Sequence, residues 1–208
     1  EKLEASFMHS HTVVVWDGGL DEDRVEGLED YKAQRDPMPD DMEVQLDEIV
    51  TYLEANGIAS VCDDGIEADD RIGQLAKRAE EEGYDVAIAS SDKDFFQLIN
   101  DRVKMLNPAD KSGEPMDADA VEAKTGVRPH QIVDWLSLVG DAADNIPGVP
   151  GIGVKTAATL LNEFGSVDGI YDRLAEVKRE KQREALEASP TLEDADRIAR
   201  RVFGGAHP

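Results

Sequence analysis

The sequence predicts an α/β fold, a mainly parallel sheet with helices, followed by an all-α segment. Short apolar, β-branched runs alternate with helical patterns up to about residue 111, and helical patterns alone follow. The composition is compatible with a folded protein, because 40% hydrophobic residues in a chain of 208 can form a core although 33% of the residues are charged. We therefore expect two domains, residues 1–111 and residues 112–208.

The first domain contains four short runs that predict strands, at residues 12–16, 58–62, 85–89 and 102–106, and the first of them is expected to be buried. The helical stretches between them start at about Asp40, with Asn56-Gly57 as a C-cap, at Ile66, with Gly83 as the stop, and at Asp94. Cys62, at the end of the second strand, is expected to be buried.

The second domain begins with predicted helices at residues 117–125 and 129–139, the first closed by Gly126. The segment 145–153 is rich in glycine and proline and cannot be helical. A helix over residues 154–164, capped by Gly165, follows it, and two or three amphipathic helices are expected from Val167 onward.

The charge and the cysteine content exclude several classes of protein. A formal net charge of −24 argues against a generic nucleic-acid binder, which is usually basic. No apolar run approaches the ~20 residues of a membrane span, and no secretory leader is visible. The single cysteine excludes an internal disulfide framework and suits a reducing compartment. We expect a cytoplasmic monomer without a membrane partner.

Acidic residues follow the predicted strands and helices at positions where a sheet-based site would form. Eight carboxylates in one place would repel one another strongly unless cations were bound. Oxygen ligands favour Mg²⁺ or Mn²⁺, and two such ions suit phosphodiester hydrolysis. In a chain this acidic, any single pair could equally be solvated surface. The eight candidate ligands are Asp17, Glu67, Asp69, Asp70, Asp92, Asp94, Asp141 and Asp144.

The glycine-rich turn 145–153 is followed at once by a helix that carries Lys155 and Thr156. Glycines allow close backbone approach, and free N–H groups at a helix N-terminus can hold a phosphate. The alternative is an ordinary connection between two helices.

Five segments carry a family resemblance: residues 14–17, 31–35, 65–70, 91–98 and 138–153. Taken together they resemble the bacterial and phage 5′→3′ exonuclease and flap endonuclease family, which includes the N-terminal nuclease domain of bacterial DNA polymerase I. The resemblance implies a PIN-like/resolvase-like metal-nuclease domain over residues 1–111. It also implies a helix–turn–helix (SAM-like) DNA-binding domain over residues 112–208.

The same resemblance implies a structure-specific 5′→3′ exonuclease/flap endonuclease that acts in replication or repair. Its catalysis would use two Mg²⁺ or Mn²⁺ ions, and its partner would be DNA with 5′ flaps, nicks or branches. A polymerase, attached or separate, would act with it.

By matching positions, the resemblance makes the eight carboxylates the metal ligands and Lys32 and Arg35 the basic catalytic residues at the scissile phosphate. It implies a K⁺ ion held by the backbone carbonyls of Leu138, Val139, Pro147, Val149 and Ile152. It implies DNA contacts from Tyr31, Lys32, Arg35, Gly148, Gly151, Gly153, Lys155 and Thr156.

The sequence departs from the family pattern at its start, where a strand with a further metal-binding Asp is expected and not found. We therefore expect an N-terminally truncated chain with reduced or absent activity. The resemblance makes residues 18–38 the family's helical arch, and this segment is more acidic than that family's pattern leads one to expect.

Three alternatives remain: a catalytically impaired structure-specific DNA-binding fragment, a PIN-type RNA nuclease and an acidic interaction protein. Without the eight proposed ligands, 38 acids still face 22 bases, which leaves a net charge of −16. Adaptation to high salt would explain that remainder, because salt screens the repulsion from DNA.

Overall fold

A computed structural model gives the fold and describes residues 9–19, 32–33 and 38–189. The chain divides into two units, Glu1–Ile72 and Gly73–Pro208, and helix α2, Ala68–Glu81, spans the division. Each unit contains one pair of parallel strands. The α/β class and the parallel strand pairing that the sequence predicts are therefore confirmed.

In the first unit, β1, Val13–Val15, lies parallel to β2, Ala59–Val61. Helix α1, Asp40–Ala55, lies between the two strands in the chain. Just after it, Gly57 takes a positive φ of 70°, which ends the helix. Backbone hydrogen bonds then fix the chain beyond β1. Gly18 donates to the carbonyl of Ile66 over 3.0 Å, and its own carbonyl accepts from Gly65 over 2.9 Å.

Cys62 corrects one expectation. It is exposed rather than buried, and its thiol lies 3.7 Å from the carbonyl oxygen of Asp17. The reason is that the strands of this unit are themselves little buried: Ala59 and Ser60 of β2 are exposed as well. Val13 is 44% exposed, so β1 is not the fully buried strand that its apolar sequence predicts.

In the second unit, β3, Val86–Ala89, lies parallel to β4, Val103–Leu106, and a 3₁₀ helix, Lys93–Leu98, separates them. The apolar core of this layer includes Phe96 and Met105, which are almost completely buried. The short helix predicted from Asp94 is therefore present in its tighter 3₁₀ form.

The helical part of the second unit has α3, Ala118–Thr125, and α4, Ile132–Val139, preceded by a 3₁₀ turn at Pro129–Gln131. It continues with α5, Val154–Phe164, α6, Val167–Asp172, a 3₁₀ turn at Leu174–Glu176, and α7, Glu180–Glu187. Their buried faces share a core that includes Leu138, Leu161 and Ile170.

Between α4 and α5 the chain forms a small antiparallel hairpin of β5, Gly140–Asp141, and β6, Ile146–Pro147. The segment 145–153 is not helical, as its glycines and prolines predict, but the hairpin was not foreseen in the sequence. None of the helices in the described part of the chain has the length and apolar character of a membrane span.

Candidate metal centre

The second unit contains a buried triad of carboxylates, Asp94, Asp141 and Asp144. Each offers one oxygen, and these oxygens all lie within 4.8 Å of one another. The residues are only 8%, 6% and 7% exposed, respectively. This is the one group of three or more candidate metal-ligating side chains in the described part of the chain. Hereafter we call it the triad.

Two short segments position the three carboxylates of the triad: the 3₁₀ helix after β3 and the hairpin β5–β6. Asp94 lies in the 3₁₀ helix after β3, and that helix begins because the side chain of Asp92 accepts a hydrogen bond from the Asp94 N–H over 3.0 Å. Asp141 is in β5, and its Oδ1 accepts from the N–H of Ala143 over 2.8 Å. Asp144 follows in the turn of the hairpin.

The hairpin can form against α4 because residue 148 is glycine. A Cβ at Gly148 would lie 2.3 Å from the carbonyl carbon and oxygen of Val139 and 2.6 Å from the nitrogen of Gly140. Any side chain would therefore force these backbones apart. The glycine keeps β6 close enough to α4 and β5 to hold Asp141 in its buried position.

Burial and nearby negative charge raise the pKa of one member of the triad, Asp94. The pKa of Asp94 is raised from its ordinary 3.8 to about 8, first by burial and then by the charges of Asp92, Asp141 and Asp144. The ammonium of Lys93 opposes this rise. Burial and the neighbouring negative charge thus make the ionisation of Asp94 costly while no cation is bound.

Lys93 reaches into the same group. Its Nζ donates to Oδ2 of Asp141 over 2.7 Å, and the lysine side chain is 39% exposed. Burial alone would lower the pKa of Lys93, but the hydrogen bond to Asp141 and the charges of Asp94 and Asp92 raise it overall. In the sequence, Lys93 stands between two candidate ligands, and that position was the available signal for this contact.

The triad fits a divalent cation. Oδ1 of Asp94 is completely buried and accepts no hydrogen bond from any residue that the structure describes. A buried acceptor without a donor is costly, and a cation would satisfy it. The donor set consists of carboxylate oxygens, which Mg²⁺ and Mn²⁺ prefer over softer ligands.

Asp92 is not part of the triad. It is exposed, and one of its oxygens is the N-cap acceptor of the 3₁₀ helix. Its charge nevertheless acts on Asp94.

The first unit holds the other four candidate ligands. Glu67 is buried and forms an ion pair of 2.5 Å with Nζ of Lys32, which is itself buried. Asp17 is exposed, and its Oδ1 accepts from the N–H of Gly19 over 2.9 Å. Asp69 is exposed and Asp70 half-buried in the first turn of α2.

Within this unit, the described carboxylates form no group of three comparable to the triad. The backbone hydrogen bonds around Gly18 nevertheless link the chain after Asp17 to the turn before Glu67. The remaining basic and aromatic candidates, Arg35 and Tyr31, lie outside the described residues.

The candidate K⁺ carbonyls all belong to α4, the hairpin and the turn that follows. The carbonyl of Leu138 accepts from the N–H of Val149 over 2.8 Å, and that of Val149 accepts from Ile152 over 3.0 Å. Each carbonyl oxygen has a second lone pair. The second lone pair could face a cation, and the K⁺ site at these five carbonyls stays a prediction.

The candidate DNA-contacting turn leads into the N-terminus of α5. Gly151 has φ of 81°, and Gly153 is the N-cap residue, with open space where a Cβ would be. Both glycines and Lys155 are exposed, whereas Thr156 is half-buried. Exposed N–H groups at a helix start can hold a phosphate.

Two family models match this chain. The one described as the 5′–3′ exonuclease N-terminal resolvase-like domain matches residues 2–126. The one described as the 5′–3′ exonuclease C-terminal SAM fold matches residues 127–200. These descriptions agree with the parallel strand pairs and with the helical segment that follows them.

Among curated proteins, the chain is similar to the 5′–3′ exonuclease of Buchnera aphidicola subsp. Schizaphis graminum. The two are 35% identical over 197 residues, which cover 95% of this chain and 68% of that protein. It is also 44% identical over 181 residues to the thermostable DNA polymerase I of Thermus thermophilus. That match covers 87% of this chain, which spans only 21% of the polymerase.

Among solved structures, the chain is similar to the T5 D15 protein co-crystallised with metal ions. The TM-score is 0.78 at 26% identity, with 99% of this chain and 78% of that chain covered. The matching family models, the curated exonuclease and this shared fold lead to one conclusion. The chain belongs to the 5′–3′ exonuclease family.

Proposed function

We propose that this chain is a divalent-metal-dependent 5′ nuclease that hydrolyses DNA phosphodiesters at flaps, nicks or branches. The observation that carries the proposal is the triad, in which three buried carboxylates converge and one oxygen of Asp94 accepts no hydrogen bond from the described residues. A bound divalent cation would make this arrangement favourable. Support also comes from a relative, the T5 5′-exonuclease, which has been crystallised with bound zinc ions.

The triad would hold one of the two ions, with the charge of Asp92 acting beside it. We propose Mg²⁺ or Mn²⁺ for both ions, and the four carboxylates of the first unit remain candidate ligands. When bound, such ions supply Lewis-acid assistance to phosphodiester hydrolysis. The protein's own contribution at the triad is burial, because few water molecules compete for carboxylates that are less than a tenth exposed.

Other residues of the chain would bind and orient the DNA. Lys32 and Arg35 would neutralise the phosphate at the cleavage point. The exposed N-terminus of α5, with Gly151, Gly153 and Lys155, would hold the duplex backbone through N–H groups and one ammonium. A K⁺ ion on the carbonyls of the neighbouring turn would add positive charge there.

We further propose that the protein acts in the cytoplasm as a monomer together with a polymerase, on the same polypeptide or separate. The similarity to the Thermus polymerase supports this partner, since the nuclease and polymerase would act on the same nicked DNA.

The test uses a 5′-labelled flap duplex with Mg²⁺ and compares wild type with Asp94→Asn and Asp141→Asn. We expect each substitution to lower the cleavage rate by at least about 100-fold, because each removes a ligand charge. Asp172→Asn, an exposed carboxylate on α6, is the charge-matched control and should cleave normally.

The outcomes separate the alternatives. Cleavage that resists EDTA, or that both triad variants retain, contradicts the proposal. A wild-type chain that binds the flap without cutting it supports the DNA-binding fragment instead. Cutting of single-stranded RNA in preference to the flap supports the PIN-type nuclease.

A further inference from the structure

The ammonium of Lys93 occupies the edge of the triad. It donates to Oδ2 of Asp141 over 2.7 Å, and its charge also acts on Asp94 and Asp92. Asp141 itself is buried, and its other oxygen accepts from the N–H of Ala143. Oδ2 of Asp141, which a cation could use, is thus bound to a lysine while no metal is present.

A buried carboxylate needs a compensating charge, and the loss of that charge without a replacement is unfavourable. Lys93 is well suited to supply it, because its side chain is anchored one residue before Asp94 and remains 39% exposed. A partly exposed lysine on a flexible stem can leave a carboxylate and return to water at little cost. A fully buried lysine could not leave its carboxylate partner for water in this way.

We propose that Lys93 is a positioning residue, an internal counter-ion that holds Asp141 in the metal-free protein and is displaced from it when a divalent cation binds. The inference rests on the proposed metal site and adds a competition to it. The metal has to replace the ammonium, so Lys93 weakens metal binding while it stabilises the empty site.

Lys93→Met tests the idea, because methionine keeps the length of the side chain and removes the charge. Titration of Mn²⁺ alone into the protein at pH 8.5, without DNA, measures the affinity. We expect Lys93→Met to bind Mn²⁺ about five-fold more tightly than wild type, the size expected for a partly exposed ion pair. In EDTA the same variant should melt at a lower temperature than wild type.

Two further variants sharpen the experiment. Lys93→Arg keeps the charge and should restore both the affinity and the melting temperature to near wild-type values. Lys181→Met removes an exposed lysine from α7 and should change neither. A general loss of positive charge would instead affect Lys93→Met and Lys181→Met alike.

The proposal is overturned if Lys93→Met binds Mn²⁺ equally well, which would make Lys93 an ordinary surface residue. It is also overturned if the variant binds Mn²⁺ more weakly, because Lys93 would then support the loaded site. If wild type binds no Mn²⁺ at all, the proposed metal-dependent function itself fails.

Discussion

At the scale of single residues, the main feature is the cost of ionising Asp94. Its pKa in the folded chain is about 8, mainly because the side chain is buried. The pKa of an aspartate in an unfolded chain is about 3.9. The folded state therefore binds this proton more tightly. The resulting stabilisation is complete below about pH 4 and is lost as the pH rises through 8.

We predict that Asp94→Asn stabilises the metal-free protein at high pH. Asparagine has almost the same shape but cannot ionise, so it removes both the burial cost and the repulsion from Asp92, Asp141 and Asp144. In EDTA at pH 8.5 the variant should gain about 2 kcal/mol, which raises the melting temperature by about 5 °C. The difference should shrink steadily as the pH falls below 8 and should nearly disappear at about pH 4.

Thermal unfolding followed by circular dichroism measures this effect, with Asp172→Asn as the control that should show no such pH dependence. Saturating Mg²⁺ should reverse the order, because the metal stabilises wild type alone. A variant that is no more stable than wild type at pH 8.5 would show that the triad is not electrostatically strained.

At the scale of secondary-structure elements, the hairpin β5–β6 depends on Gly148. We predict that Gly148→Ala destabilises the protein by about 3 kcal/mol, because the new Cβ would overlap the backbone of Val139 and Gly140. Since Asp141 lies in β5, the same substitution should also weaken Mn²⁺ binding. Urea unfolding and Mn²⁺ titration measure the two effects.

Gly153→Ala is the matched control for Gly148→Ala. Gly153 has φ of −93°, and a Cβ added there would have no neighbouring atom within 4 Å, so alanine meets no clash. We expect a loss below about 1 kcal/mol, the size of a change at a helix N-cap. Equal destabilisation by both substitutions would contradict the close packing that we assign to Gly148.

The elements also show where sequence patterns succeed. The predicted helix over 154–164 is confirmed at both ends, because Gly153 and Gly165 supply local start and stop signals. The helix over 117–125 is confirmed because Asp117 caps it and Gly126 takes a left-handed conformation. The hairpin was missed because strands of two residues have no measurable periodicity.

At the scale of the whole molecule, the net charge of −24 acts on the stability of the entire chain. Like charges repel in the compact state, and the Debye length falls from about 10 Å at 0.1 M salt to about 3 Å at 1 M. The proposal of adaptation to high salt therefore has a direct consequence. The folded state should become more stable as salt is added.

We predict that the melting temperature in EDTA rises by several degrees between about 0.1 M and 1 M KCl. NaCl should have nearly the same effect, because screening does not depend on the identity of the cation. An additional gain in KCl would support the proposed K⁺ site. A melting temperature that stays flat or falls in both salts would contradict the high-salt proposal.

The sequence by itself determined the fold class, the family and the set of candidate carboxylates, because these depend on local patterns and on short motifs whose residues are close together in the chain. Only the tertiary structure decided which carboxylates share a buried site. Asp94 and Asp141 are far apart in sequence, and their convergence depends on the packing of a 3₁₀ helix and a hairpin. The exposure of Asp92 and the contact of Lys93 depend on the same packing. Burial sets the cost of a charge, and the sequence does not record burial.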